Sequence, residues 1–175
     1  MVNKTLLLIF LLGIHTLGFS TESTTLQCPN QSSSANVVSS VENETQLLIF
    51  VSLGMPKTSL LQWSEQAKKA GGILVLRGLK DNSLPQTLAY TKKLWGEGAR
   101  GLVIDPTAFQ RFAINTVPAV LITKKALQPC TKEACDTPIH DVVYGDVGLA
   151  YALNKIKEQG ELGDLAQNYL TRLNR

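Results

Sequence analysis

The chain has 175 residues and a formal net charge of +3. Once an N-terminal signal is set aside, roughly 155 residues remain, enough for one domain with a real core but not for two of ordinary size. Basic and acidic residues are interspersed, with no run of five like charges, which argues against a nucleic-acid-binding surface.

The first twenty residues have the layout of a cleavable secretory signal. Lys4 supplies the positive start, and residues 6–14 form an apolar run shorter than the roughly twenty residues that a membrane-spanning helix needs. Ser20 ends a Gly-Phe-Ser sequence with small residues at the two positions that a signal peptidase reads. We therefore expect residues 1–20 to be a signal peptide and the processed protein not to span a membrane; an uncleaved anchor is the alternative.

A polar leader follows over residues 21–45. It consists mostly of Ser, Thr, Asn, Gln and Glu and has few large apolar residues, so it cannot bury enough surface to offset the entropy lost on ordering. We predict that the leader is disordered and that the folded domain spans residues 46–175.

A strand-helix-strand unit is predicted to open the domain. Residues 47–53 form a continuous apolar run typical of a central strand that is covered on both faces. Residues 57–70 predict a helix with one buried stripe, made of Leu60, Trp63, Ala67 and Ala70. Gly71-Gly72 ends this helix, and residues 73–78 predict a second buried strand at the length of a right-handed parallel crossover.

The middle of the domain alternates short helices and strands. Residues 83–95 predict a helix whose main apolar residues are Leu84, Leu88 and Leu94. After a short apolar segment, a helix that carries Phe109 and Phe112 leads into a strand that begins at Val117-Pro118. Proline is allowed at that position because the first residue of a strand need not donate to the ladder.

A hairpin and two helices are predicted to complete the domain. A polar loop over residues 124–138 precedes an alternating return strand at residues 139–145. Two amphipathic helices separated by Gly160 follow, and the first has one apolar side, made of Leu149, Ala152, Leu153 and Ile156.

This order of elements resembles the thioredoxin-like fold with the helical insertion of disulfide isomerases, an α/β fold in which helices flank a mixed central sheet. More narrowly, residues 47–160 resemble the F-type conjugative-transfer pilus-assembly family TrbC. The motifs that carry the resemblance are Phe50-Val51-Ser52, Met55-Pro56, Leu76-Arg77-Gly78, Ile104-Asp105-Pro106, Phe109, Arg111-Phe112, Val117-Pro118-Ala119 and Gly145-Asp146-Val147.

The resemblance also shows what is missing. Residues 54–57, Gly-Met-Pro-Lys, stand where a thioredoxin-like enzyme has its Cys-x-Pro-Cys turn. Thiol-disulfide exchange needs an attacking thiolate and a second thiol to release the mixed disulfide, and neither Gly54 nor Lys57 supplies one. The resemblance therefore implies a domain that is not an enzyme and needs no cofactor.

Four residues are candidates for a binding surface. In the fold that the chain resembles, a cis proline faces the active turn and leaves a neighbouring backbone edge free for an extended peptide, which implies this role for Pro118; a trans Pro118 that only starts an edge strand is the alternative. Met55 and Pro56 lie in the turn, where Met55 either lines a docking patch or packs in the core. Arg77 should emerge beside them, binding a partner's carboxylate or forming an ion pair with Asp105.

Three cysteines remain after the signal, and a secreted chain meets an oxidising compartment. Cys130 and Cys135 are close enough to pair across the polar loop, and we predict a disulfide between them, while Cys28 is left over. A redox role for Cys130/Cys135 is an alternative. A metal site that adds His140 is another, but a structural zinc site requires four ligands and only Cys28 could complete it, so no metal is expected.

The resemblance implies a periplasmic, non-catalytic assembly factor for a type IV (F-type) conjugative pilus. Its implied partners are other envelope proteins of the transfer system, above all a TraW-type pilus assembly protein. Two alternatives stay open: a thiol-disulfide oxidoreductase or isomerase that uses Cys130/Cys135 or Cys28, and a redox-silent chaperone that holds exported clients at Pro118.

Overall fold

The central strand of the sheet is an apolar segment whose side chains are buried on both faces of the sheet. The computed structural model describes residues 45–96, 101–125 and 136–175. In it, strand β1 (Gln46–Val51) lies in the middle of a five-stranded sheet of order β3-β2-β1-β4-β5, and its last five residues are buried. The other strands are β2 (Ile73–Leu76), β3 (Leu102–Ile104), β4 (Ala119–Thr123) and β5 (His140–Tyr144).

The sheet is mixed, and its register brings several strand ends to one edge. β1 and β3 pair with β2 in parallel, whereas β4 is antiparallel to both β1 and β5. Val51 lies beside Leu76 and Leu76 beside Ile104, while Phe50 lies beside Ala119. The carboxyl ends of β1, β2 and β3 therefore meet the amino end of β4 at the same edge.

Helices cover the two faces of the sheet unequally. One face carries α1 (Lys57–Ala70), α2 (Leu84–Trp95), α4 (Leu149–Gln159) and α5 (Gly163–Leu173), which share a core with Leu47, Ile49 and Val51. The other face carries the short α3 (Pro106–Arg111), whose Phe109 meets Phe50 edge to face with ring centroids 4.8 Å apart. Alternate residues of β1 thus enter different cores, as the two-residue period of a strand requires.

Two of the helices that cover β1, α1 and α4, were predicted from the spacing of their apolar residues. α1 spans residues 57–70 as expected, and all four members of its predicted stripe are buried. Gly71 ends it at φ 75°, a left-handed conformation that glycine adopts at little cost. The apolar side predicted for α4 is also buried throughout.

The ends of three predicted strands need correction. The first strand stops at Val51 rather than residue 53, because Ser52 starts a turn, the second stops at Leu76 rather than residue 78, and the strand predicted from Val117 begins at Ala119. Within α2, Leu84 and Leu88 are exposed, and the buried residues are Thr87, Thr91 and Leu94. Thr87 can be buried because its hydroxyl donates to the Ser83 carbonyl at 2.7 Å and accepts from the Lys80 amide at 2.8 Å.

Several predictions fall on residues outside the described ranges. They are the signal peptide at residues 1–20, the leader up to residue 44, the Cys130/Cys135 disulfide and the role of Cys28. In the parts of the chain that the structure does describe, no helix is long and apolar enough to cross a membrane. The same parts contain no group of three or more His, Cys, Asp or Glu side chains that could hold a metal ion.

Candidate functional site

Hydrogen bonds between residues close in sequence stabilise the turn between β1 and α1. The Met55 amide donates to the Ser52 carbonyl at 3.0 Å, and the Gly54 amide donates to the Ser52 hydroxyl at 3.2 Å. Met55 is half-buried against the larger core, and its sulfur accepts from the Ser52 amide at 3.4 Å, while Gly54, Pro56 and Lys57 are exposed. Met55 therefore both packs in the core and reaches the surface.

The register places Pro118 at the same edge as this turn. Ala119 is the partner of Phe50, so the residue before Ala119 lies next to the end of β1. Pro118 is buried, its carbonyl accepts from the Gly145 amide at 3.0 Å, and the Val117–Pro118 peptide bond is cis, as predicted.

The residue before this proline has an unpaired backbone. Val117 is half-buried, and within the described ranges its amide and carbonyl make no hydrogen bond. Backbone amides and carbonyls that lack a partner within the chain are usually satisfied by another molecule or by water. Val117 therefore offers one donor and one acceptor beside the turn.

Arg77 follows β2 at the same edge, but the ion pair suggested with Asp105 is not formed. One guanidinium nitrogen, Nη2, donates to the Ile114 carbonyl at 2.8 Å, and the group lies 4.9 Å from the centre of the Phe109 ring. The Asp105 carboxylate instead caps α3 by accepting from the Ala108 amide at 3.0 Å. A carboxylate used as a helix cap in this way satisfies an otherwise orphan amide, so Asp105 stabilises the start of α3.

A cleft of about 400 Å³ opens between the ends of β1 and β2. Residues 52–54 and 76–81 line it, so it contains Arg77 but not Met55, Pro56 or Pro118. Lys80 also borders the cleft, and its hydrogen bond to the Asp81 carboxylate raises the pKa of its amino group. The structure thus brings the four candidate residues to one edge, with Arg77 in the cleft and Pro118 underneath the surface.

Asp146 is a connecting residue at this edge whose role the sequence analysis missed. Its carboxylate accepts from the Ser59 hydroxyl at 2.8 Å and from the Trp63 indole nitrogen at 2.7 Å, and both partners belong to α1. The neighbouring Leu149 amide donates to the Gln66 side chain at 2.6 Å. The first three turns of α1 are therefore tied to the segment between β5 and α4. The Gly145-Asp146-Val147 motif was the available signal, but it does not identify the two distant donors.

Comparisons with known proteins agree on one group. The family model described as "Type-F conjugative transfer system pilin assembly protein" matches residues 49–156. The chain is also 29% identical over 124 residues to "Periplasmic protein TrbC" of Escherichia coli (strain K12), an alignment that covers 70% of this chain and 53% of that protein. The chain thus spans about half the length of this curated relative. The range that matches the family model includes the 52–56 turn, Arg77, Pro118 and Asp146.

Proposed function

The chain belongs to the family of type-F conjugative transfer system pilin assembly proteins, and from this membership we propose that it is a periplasmic assembly factor for an F-type conjugative pilus. Its relative in Escherichia coli is named a periplasmic protein. The expected signal peptide would deliver this chain to the same compartment. The proposed role is to bind other envelope proteins of the transfer system while the pilus is built.

We also propose that the fold is thioredoxin-like and carries no catalysis at the usual turn. The parallel pair β1/β2 joined by α1, followed by the antiparallel pair β4/β5, is the arrangement that supports this assignment. The turn after β1 is Ser-Leu-Gly-Met-Pro, followed by Lys57, so it has no sulfur nucleophile. Fold alone does not imply function, and the scaffold would here serve binding instead.

The observation that carries the binding role is the unpaired backbone of Val117 beside the 52–56 turn. An extended segment of a partner could pair with this backbone in the manner of an added strand. Met55, in the turn that follows the neighbouring strand β1, would supply an apolar contact, and the exposed Arg77, which follows β2 beyond it, would supply positive charge. The partner that best fits the proposed role is a TraW-type pilus assembly protein.

Two variants with a matched control test the proposal. We expect Arg77→Glu and Met55→Asp to abolish both pilus assembly and binding of the purified protein to the TraW-type protein, because each places a negative charge at the proposed contact. Lys157→Glu, which makes the same charge change as Arg77→Glu at an exposed position on α4, should leave both intact. Circular dichroism and protein abundance check that each variant remains folded.

The result that contradicts the proposal is equally specific. If folded Arg77→Glu protein binds the TraW-type protein and supports transfer at the level of Lys157→Glu, the candidate edge is not the binding site. Met55→Asp alone is a weaker test, since Met55 also packs against the core.

A further inference from the structure

The guanidinium of Arg77 is held in one place beside the cleft that residues 52–54 and 76–81 line. Its Nη2 atom donates to the Ile114 carbonyl at 2.8 Å, and the group lies 4.9 Å from the centre of the Phe109 ring. A guanidinium has several N–H donors in a fixed plane, and the remaining ones have no partner in the part of the chain that the structure describes. Because the side chain is exposed but already oriented, a ligand can bind these donors at a reduced entropy cost.

The positive charge of Arg77 is not balanced within the cleft. The other two charged residues of its lining, Lys80 and Asp81, pair with each other at 2.9 Å. Asp105, which follows the neighbouring strand β3, accepts from the Ala108 amide at 3.0 Å instead. Across the described ranges Arg77 therefore forms no ion pair, and the lining of the cleft carries one uncompensated positive charge.

The rest of the lining favours a carboxylate on a short aliphatic stem. Three leucines contribute to it, and one of them, Leu79, is 37% exposed. A carboxylate carries a single negative charge and matches the planar donors of a guanidinium. A phosphate group carries nearly two negative charges at neutral pH, which the single free charge of this cleft would not balance. The methylene groups of an Asp or Glu side chain would lie against the leucines.

One extended segment is long enough to reach both the cleft and the unpaired backbone of Val117. Ile114, whose carbonyl binds Arg77, lies three positions before Val117, so the Cα atoms of these two residues are at most about 11 Å apart. An extended chain rises about 3.3 Å per residue and covers that distance in three to four residues. A partner that pairs with Val117 can therefore place a nearby side chain on Arg77.

We propose that the cleft binds an Asp or Glu side chain of the partner segment that pairs with Val117, with its carboxylate on the Arg77 guanidinium. This inference rests on the binding role proposed above and names what the partner must present. The acid lies within about four residues of the position that pairs with Val117.

Site-specific photo-cross-linking on the full-length protein, in cells that carry the transfer system, locates the partner segment. The photoreactive residue p-benzoylphenylalanine is placed in the cleft at position 79, next to the 52–56 turn at position 57 and, as a control, at position 151, which is exposed on α4. We expect positions 79 and 57 to capture the same segment of a TraW-type pilus assembly protein and position 151 to capture none. That segment should contain Asp or Glu within about four residues of the site attached to position 79.

Two synthetic peptides of that segment are then the probes for binding to the purified full-length chain, one unaltered and one with the acid replaced by its amide. We expect the amide peptide to bind the unaltered protein at least about tenfold more weakly, because it loses the charge-assisted hydrogen bonds to the guanidinium. On Arg77→Gln protein the two peptides should bind within about twofold of each other. Arg77→Lys, which keeps the charge but not the planar donors, should restore part of the difference.

This cycle separates direct contact from a structural role of Arg77. If Arg77 only supported the Ile114 carbonyl, Arg77→Gln would weaken both peptides equally and the tenfold difference between them would persist. Lys157→Gln, a loss of the same charge at an exposed position on α4, should keep the full difference.

The inference and the proposed function fail on different results. Cross-links from position 57 without any from position 79, a captured segment that lacks an acid, or a tenfold difference that Arg77→Gln retains would overturn the inference and leave the binding edge intact. Cross-links from neither position would overturn both. Cross-links from position 79 to a second copy of this chain, or to residues 21–44 of the same chain, would assign the cleft to another occupant and also overturn the inference.

Discussion

At the scale of single residues, Asp146 connects α1 to the segment between β5 and α4. Both of its carboxylate oxygens accept hydrogen bonds from α1, one from Ser59 and one from Trp63. Trp63 is 1% exposed, so its indole nitrogen has no ready access to water if the acceptor is removed. A buried donor that loses its acceptor keeps the full desolvation penalty.

We therefore expect Asp146→Ala to lower the free energy of unfolding by about 2 kcal/mol, the usual range for a buried donor left without a partner. Asp146→Asn should cost clearly less, because its amide oxygen can still accept from Trp63. Urea denaturation of the two variants measures the difference. Equal losses for Ala and Asn would show that charge, and not the hydrogen bond to Trp63, stabilises this contact.

Gly160 is a second residue whose identity the tertiary structure requires. A Cβ atom at this position would lie 2.5 Å from the Asp141 carboxylate and 2.8 Å from the Ile156 carbonyl oxygen. That carboxylate is fixed in place, since it accepts from the Glu161 amide at 3.2 Å and the Leu162 amide at 2.7 Å. The chain can pass this close to Asp141 only without a side chain at residue 160.

We expect Gly160→Ala to destabilise the protein by roughly 1–3 kcal/mol, as overpacking of a tight contact usually does. Gly78→Ala is the matched control, because its added Cβ would have no heavy atom within 4 Å. Thermal unfolding of both variants is the measurement. A Gly160→Ala protein as stable as Gly78→Ala would mean that Asp141 moves aside at little cost.

At the scale of elements, α5 belongs to the fold although it lies beyond the range that matches the family model. The match ends at residue 156, while α5 spans Gly163–Leu173. Its residues Ala166, Tyr169 and Leu170 are buried in the larger core, and the Tyr169 hydroxyl donates to the Thr45 carbonyl just before β1. The helix thus covers the sheet and also holds the start of the central strand.

We expect Leu170→Ala to cost roughly 2–4 kcal/mol of stability, the range for a large-to-small change in a core. Leu88→Ala, the same chemical change at a residue that is 58% exposed, should stay within about 0.5 kcal/mol of the unaltered protein. Denaturant unfolding compares the two. If Leu170→Ala is also neutral, α5 is a loosely attached extension and not part of the core.

At the scale of the whole molecule, the proposed role separates binding from thiol chemistry. Among the residues that the structure describes, none at the edge that gathers Met55, Arg77 and Pro118 is a cysteine, and the turn that follows β1 has none either. A protein that works by binding at this edge does not need a reactive thiol. Cys130 and Cys135, which are expected to form a disulfide, would then act only as a local staple.

We expect replacement of both Cys130 and Cys135 by serine to leave conjugation largely intact. Closing so short a loop contributes roughly 2 kcal/mol in the chain-entropy model, so the variant should be somewhat less stable but still folded. The frequency of plasmid transfer and the amount of protein in the periplasm are the readouts. A folded, abundant double-serine variant that fails to support transfer would favour a thiol-based mechanism.

The sequence by itself determined the elements that can be recognised from residues close together in the chain. The unbroken apolar run was sufficient to predict β1, and the helical spacing of apolar residues was sufficient to predict α1 and α4. A strand buried on both faces and a helix buried along one stripe differ in the spacing of their apolar residues, so the two patterns can be told apart in the sequence. Gly71 marked the end of α1 for an equally local reason, since the left-handed conformation at a helix end favours glycine. The motifs that carry the resemblance to the family could also be identified without a structure.

Only the tertiary structure decided which groups meet across long separations in sequence. The apolar content of α2 predicted a helix but not that Leu84 and Leu88 would face outward, because the spacing of leucines does not say which flank meets the sheet. The hydrogen bond from Arg77 to the Ile114 carbonyl joins residues 37 positions apart, and the bond from Ser59 to Asp146 joins residues 87 positions apart. Both depend on how the strands pair in the sheet. Such contacts arise when strands pair, and no local period in the sequence records them.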